Sequence, residues 1–305
     1  THIIRATVGL GFKRGRLRYA YQILRGKDLK TGETTPETRA GNFKTFGDAL
    51  NRVLDLNNWK SFLNALGEAG YVSSSQITSE NALFFNYAFY LIGRYEFSMT
   101  PLDIKRLIRR WFYASNLTAF YIGSFESDFE KQLNEVSQLK TAEEFVSYFD
   151  RSLAALMTDD YFSLTLPNAL DANEATGPTW QGFVAAQVVL GCKALFSTAP
   201  LSQLISDGAS GTKKAVDKHH LFPDHYLEER GYLSNRSNRG NFTYADYSNN
   251  IYISDDAPSV YVAKYRNELG EEAYEEACLQ HALPEGFEDM NYEEFLGKRR
   301  MLMAQ

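Results

Sequence analysis

Asp217-Lys218-His219-His220-Leu221-Phe222-Pro223, then Gly240-Asn241-Phe242, then Ser248-Asn249-Asn250, is the stretch on which the reading of this chain turns. Two of the five histidines stand side by side, and Asn241 and Asn250 lie nine residues apart. Strand side chains alternate between faces, so a tandem His on a β-ribbon sends one ring to each side. One imidazole is then free to bind a metal while its neighbour faces a substrate. A short helix after the second strand would return an Asn to the same ion. The spacing predicts His219 and His220 on one strand of a two-stranded antiparallel ribbon. Asn241 is expected at or after the second strand, and Asn250 on the helix that follows.

These residue types suit phosphodiester hydrolysis. A water must lose a proton near neutral pH, and histidine has the unperturbed pKa for that task. Charge developing on phosphate calls for a divalent cation. One His and one Asn amide oxygen leave room for water and phosphate, which fits Mg²⁺ or Mn²⁺ better than structural zinc. Asp217, two residues before His219, is placed to orient a metal-binding ring.

The His-His-x-x-Pro…Asn-x8-Asn spacing resembles the ββα-metal (HNH) domains of colicin DNases and CRISPR effector nucleases. Carried over residue by residue, the resemblance makes His219 and Asn250 the metal ligands and His220 the general base. Asn241 becomes the central Asn that pins the loop, grouped with His220 as catalytic. Residues 219–261 further resemble the C-terminal part of a prokaryotic GmrSD-like family, which joins a ParB-like nucleotide-binding domain to an HNH nuclease. Residues 6–33, 81–97, 109–127, 164–171 and the final NYEEFLGKRRMLMAQ carry the same likeness. It implies a restriction or phage-defence endonuclease acting on DNA, with the nucleotide-binding domain lying before Thr1. A different class of reading stands beside it: a catalytically inert helical module that binds DNA or another protein.

The net charge of −6 does not favour general DNA binding, so any contact surface must be local. Residues 1–30 hold eight basic side chains against the single Asp28. Lys105, Arg106, Arg109 and Arg110 form a second group, read as a solvated helix face. Lys213, Lys214, Lys218, Arg236 and Arg239 surround the histidines and are the candidates for phosphate contact. The 44% hydrophobic and 14% aromatic content excludes a disordered chain, and no apolar run approaches a membrane span. Two cysteines without a Cys-x-x-Cys pair fit a reducing cytoplasm.

Elsewhere the periodicity is helical over 3–25 and 42–69, with a turn-rich connector at 30–36. Ser79 and Thr100 read as N-caps, Ser127-Asp128-Phe129-Glu130 as a capping box, and 142–157 as a further helix. The Phe- and Tyr-rich helix over 80–94 reads as core. Gly9–Gly15 and Gly208–Lys213 lack phosphate-loop spacing, which leaves no nucleotide site in this chain. His2 and His281 show no partners in the sequence, and His225 is expected to face out of a helix starting near Pro223. The expected architecture is mainly α: a helical domain over 1–165, then a helical domain over 166–305 carrying the small ββα-metal element.

Overall fold

The computed structural model describes residues 1–207, 216–246, 253 and 255–305. It is mainly helical, with one two-stranded sheet among the described residues. Contacts divide it into two compact units, Thr1–Ala69 with Ile77–Leu156, and Gly70–Gln76 with Met157–Gln305.

The first unit holds α1 (His2–Phe12), α2 (Leu17–Leu24), α3 (Pro36–Leu54), α4 (Leu56–Glu68), α5 (Glu80–Tyr95), α6 (Pro101–Leu117), α7 (Phe125–Val136) and α8 (Ala142–Leu156). Ser79 and Thr100 cap α5 and α6, accepting from the Ala82 and Asp103 amides at 3.2 Å. The aromatics of α5 are core: Phe85 stacks on Phe129 at 3.9 Å between centroids, and Phe89 meets Phe149 edge-on at 5.1 Å.

Three local expectations change. The helix read over 3–25 breaks because Lys13 turns left-handed and Gly15 lies against Phe129 and Glu130, where an added Cβ would be 2.8 Å from a ring carbon. The helix over 42–69 starts earlier, at Pro36, and is interrupted at Asp55, whose carboxylate takes the Asn57 amide at 2.8 Å. Ser127 does not cap α7, which begins at Phe125. Glu130 instead accepts from the Gly15 amide and pairs with Arg14 at 3.3 Å.

The basic N-terminal segment is thereby partly neutralised inside its own unit. Arg5 pairs with Glu126 and Lys13 with Glu96. Lys105 and Arg109 share Glu68, and Arg110 meets Asp150 at 2.8 Å.

The second unit contains α9 (Leu166–Ala169), α10 (Gly177–Val189), α11 (Leu201–Ile205), β1 (Val216–His220), α12 (Asp224–Glu229), β2 (Phe242–Asp246), α13 (Pro258–Leu269), α14 (Glu271–Gln280) and α15 (Tyr292–Ala304). A π turn over Tyr161–Thr165 and α9 both pack on α15, so residues 157–165 go with this unit. Residues 70–76 join it through Asp207, which accepts from Ser73 Oγ at 2.7 Å and the Ser74 amide at 2.9 Å. At Gly70 (φ +91°) a Cβ would stand 2.1 Å from the Ala185 carbonyl oxygen. The core gathers Leu195, Leu221, Phe222, Ala245, Ile253, Tyr261 and Phe295 around the ribbon.

Candidate active site

β1 and β2 run antiparallel, with His219 opposite Thr243 and His220 opposite Phe242. Paired residues share a face, and alternation assigns the rest. Asp217, His219, Thr243 and Ala245 point one way, and His219 is 5% exposed. Lys218, His220, Phe242 and Tyr244 point the other way. The tandem histidines therefore do present their rings to opposite sides.

His219 lies edge-on to Tyr261, with centroids 6.5 Å apart. The Tyr261 hydroxyl donates to the Leu221 carbonyl at 2.6 Å and fixes the end of β1. His220 is half-buried and leans on the Phe242 ring at 4.3 Å. Its Nε2 is buried and has no hydrogen-bond partner among the described residues. Burial pulls the His220 pKa below the usual imidazole value, and the Asp224 carboxylate offsets this in part. The ring is then held in the neutral form that accepts a proton.

Asn241 stands just before β2, closing the 3₁₀ turn Arg239–Asn241, and not at or after the strand as expected. The reason is its own amide, which is 0% exposed and already used. Oδ1 accepts from the Phe222 amide at 2.8 Å, and Nδ2 donates to Phe222 O at 2.9 Å and Arg236 O at 3.0 Å. Its backbone carbonyl takes the Leu221 amide at 2.8 Å. Asn241 therefore pins the loop leaving β1, with no free amide group to offer a substrate.

The proposed phosphate contacts fare differently. Arg239 is buried, and burial lowers its pKa. Its guanidinium donates to Ala169 O (2.9 Å), Thr179 Oγ1 (2.7 Å) and Glu174 O (3.2 Å). It is a structural strut and not the surface phosphate contact expected from the sequence. Arg236 pairs with Asp224 at 3.3 Å and Glu228 at 3.2 Å, and Lys218 donates to Ala175 O at 2.6 Å. Lys213, Lys214 and Asn250 lie outside the described residues.

Two histidines read as isolated have partners. His2 meets Glu80 at 3.6 Å and the Phe84 ring edge-on. His281 is buried beneath the ribbon: Thr243 Oγ1 lies 2.6 Å from Nδ1, and Lys193 O lies 3.0 Å from Nε2. A carbonyl only accepts, so Nε2 carries the hydrogen and Nδ1 accepts a hydrogen bond from the Thr243 hydroxyl. Burial pushes this ring down to about 4, which keeps it neutral. His225 faces outward and pairs with Glu229 at 3.4 Å, as expected.

Sequence reasoning also missed Arg299, which is fully buried at the base of β2. The available signal is its place on the apolar stripe of α15, in step with Tyr292, Phe295, Leu296 and Met303.

Among the described residues no three His, Cys, Asp or Glu side chains converge to hold a metal. On one face of β1 the His219 imidazole would be a metal ligand with Asp217 beside it to orient the ring, and with an amide oxygen this makes a mixed N/O set suited to a divalent ion that keeps several waters. Cys192 and Cys278 are free thiols, and no helix of the described residues is long and apolar enough to cross a membrane. The chain matches no family model, no curated protein and no solved structure.

Proposed function

We propose that the second unit carries an HNH-type endonuclease site that hydrolyses DNA phosphodiester bonds with Mg²⁺ or Mn²⁺. The observation that carries this reading is the pairing of a tandem-His strand with a strand entered through a buried, loop-clamping asparagine. His219, with Asn250 and oriented by Asp217, would hold the ion. When bound, the ion supplies positive charge against the phosphate in the transition state. His220, on the opposite face and kept neutral by burial, takes the proton of the attacking water. Asn241 keeps the loop after His220 in place and so holds the base. The resemblance to GmrSD-like proteins adds a role in restriction of foreign DNA.

The test is plasmid nicking in Mn²⁺ with parallel calorimetric titration of the metal. His220→Ala should lower the rate by roughly 10²–10⁴-fold with folding intact. His219→Ala should weaken Mn²⁺ binding. Wild-type-like nicking by the His220 variant overturns the base assignment.

A second reading, an inert interaction module, draws on the internal engagement of Lys218, Arg236 and Arg239, which removes cations expected to meet phosphate. Salt separates a DNA-binding surface from a protein-binding module: DNA affinity should fall with a slope of about −0.9 per phosphate neutralised if this surface binds DNA. The nicking assay then separates a nuclease from an inert DNA binder.

A further inference from the structure

Arg299 occupies a core position on α15 and is 0% exposed. Burial lowers its pKa to about 9, so it remains charged at neutral pH. Its hydrogen bonds go to three backbone carbonyls. Nη1 donates to Gly240 O and Phe242 O, both at 2.7 Å, while Nε and Nη2 donate to His281 O at 3.3 and 3.2 Å. An apolar side chain generally serves a core at least as well as a buried cation. The reason for this one lies in what it holds.

Gly240 and Phe242 flank Asn241, whose amide clamps Phe222. Phe242 faces His220 across the ladder, and Thr243, the next residue, faces His219. Thr243 is itself held by the neutral His281 ring. The guanidinium fork and the imidazole thus grip residues 240–243 at the points that oppose both histidines. A lysine ammonium, a point donor on a flexible stem, does not reproduce the planar fork.

We infer that Arg299, seconded by His281 through Thr243, is a positioning residue for the hydrolysis, fixing β2 so that the Asn241 clamp and both histidines keep their geometry. Only the kinetic part of this inference rests on the nuclease reading. The test uses the full chain with Arg299→Lys, with Thr243→Val as the milder variant should the first not fold. Leu283→Ala, an apolar truncation in the same core cluster that removes none of these hydrogen bonds, serves as a stability control.

Two quantities are followed: hydrogen exchange at the Leu221 and Phe222 amides, which donate to Asn241, and nicking kinetics in Mn²⁺. The ribbon variants should speed exchange at those two amides at least about tenfold while α13 stays protected. They should lower kcat by up to about 10²-fold with the KM for DNA unchanged, as expected when reacting groups are misplaced. Leu283→Ala should lower the thermal midpoint without changing kcat. Unchanged exchange at Leu221 and Phe222, or equal losses in the control, overturns the inference. If the wild-type protein does not cut DNA, the nuclease reading fails, and the exchange measurement alone decides whether Arg299 positions the clamp.

Discussion

Replacing Asn241 by alanine should destabilise the second unit more than any exposed substitution in the chain. The side chain makes three hydrogen bonds to backbone in a site closed to water. Arg236 O keeps a partner in the Tyr292 hydroxyl at 3.1 Å. The Phe222 amide and carbonyl lose theirs. Each buried backbone group left without a partner costs about 1–3 kcal/mol, so the two together give a loss of about 2–6 kcal/mol, nearer the lower end if water enters the space. That is a large part of the 5–15 kcal/mol by which domains are typically stable. Asn241→Asp should be worse, because it turns a carboxylate oxygen toward the Phe222 and Arg236 carbonyls that now receive N–H groups. Urea unfolding at pH 7, followed by circular dichroism and compared at constant m-value, measures both variants. A loss below about 1 kcal/mol for Asn241→Ala would refute the clamp, since the geometry leaves no cheaper way to satisfy Phe222.

Acid should weaken the fold through His281. Its pKa lies near 4 when folded, against about 6.5 in an unfolded chain, so the unfolded state binds the extra proton in that interval. Stability should then fall as pH drops from about 6.5 to 4, by about 3 kcal/mol at full effect. His281→Gln should flatten that slope in pH-dependent urea titrations, and an unchanged slope would remove His281 as its source. Arg239→Met should lower the thermal midpoint while leaving the salt dependence of any DNA binding unchanged, because the side chain is buried and its Nε and Nη1 donors are engaged by Ala169, Glu174 and Thr179. A reduced salt slope in that variant would restore Arg239 as a phosphate contact.

The sequence carried the parts of this protein that depend on neighbours in the chain. Period-two alternation sends His219 and His220 to opposite faces of any strand that contains them, and the register confirms that separation. Ser79 and Thr100 cap their helices because capping is a bond between residues two or three apart. Expectations failed where a distant residue took over a local group. Glu130, read as part of a capping box, is claimed by the Gly15 amide, and that same contact splits the helix expected over 3–25.

Charge was the least legible property. Arg239, Arg236 and Lys218 cluster with the histidines in sequence, yet each is engaged with carbonyls or carboxylates of its own unit. The basic run of residues 1–30 likewise finds Glu126, Glu96 and Glu130 from later in the chain. A cation's role depends on which acceptor reaches it first, and composition does not record that.

The sequence by itself determined a mainly helical chain with one His-His strand, because periodicity and capping act over a few residues. Only the tertiary structure decided that Asn241 spends its amide on Phe222, that His281 is neutral beneath Thr243, and that Arg299 grips the strand carrying both contacts. Those roles arise from burial and from partners 19 to 59 residues away. Desolvation and long-range hydrogen bonds are set when the chain closes on itself, and they have no signature in local spacing.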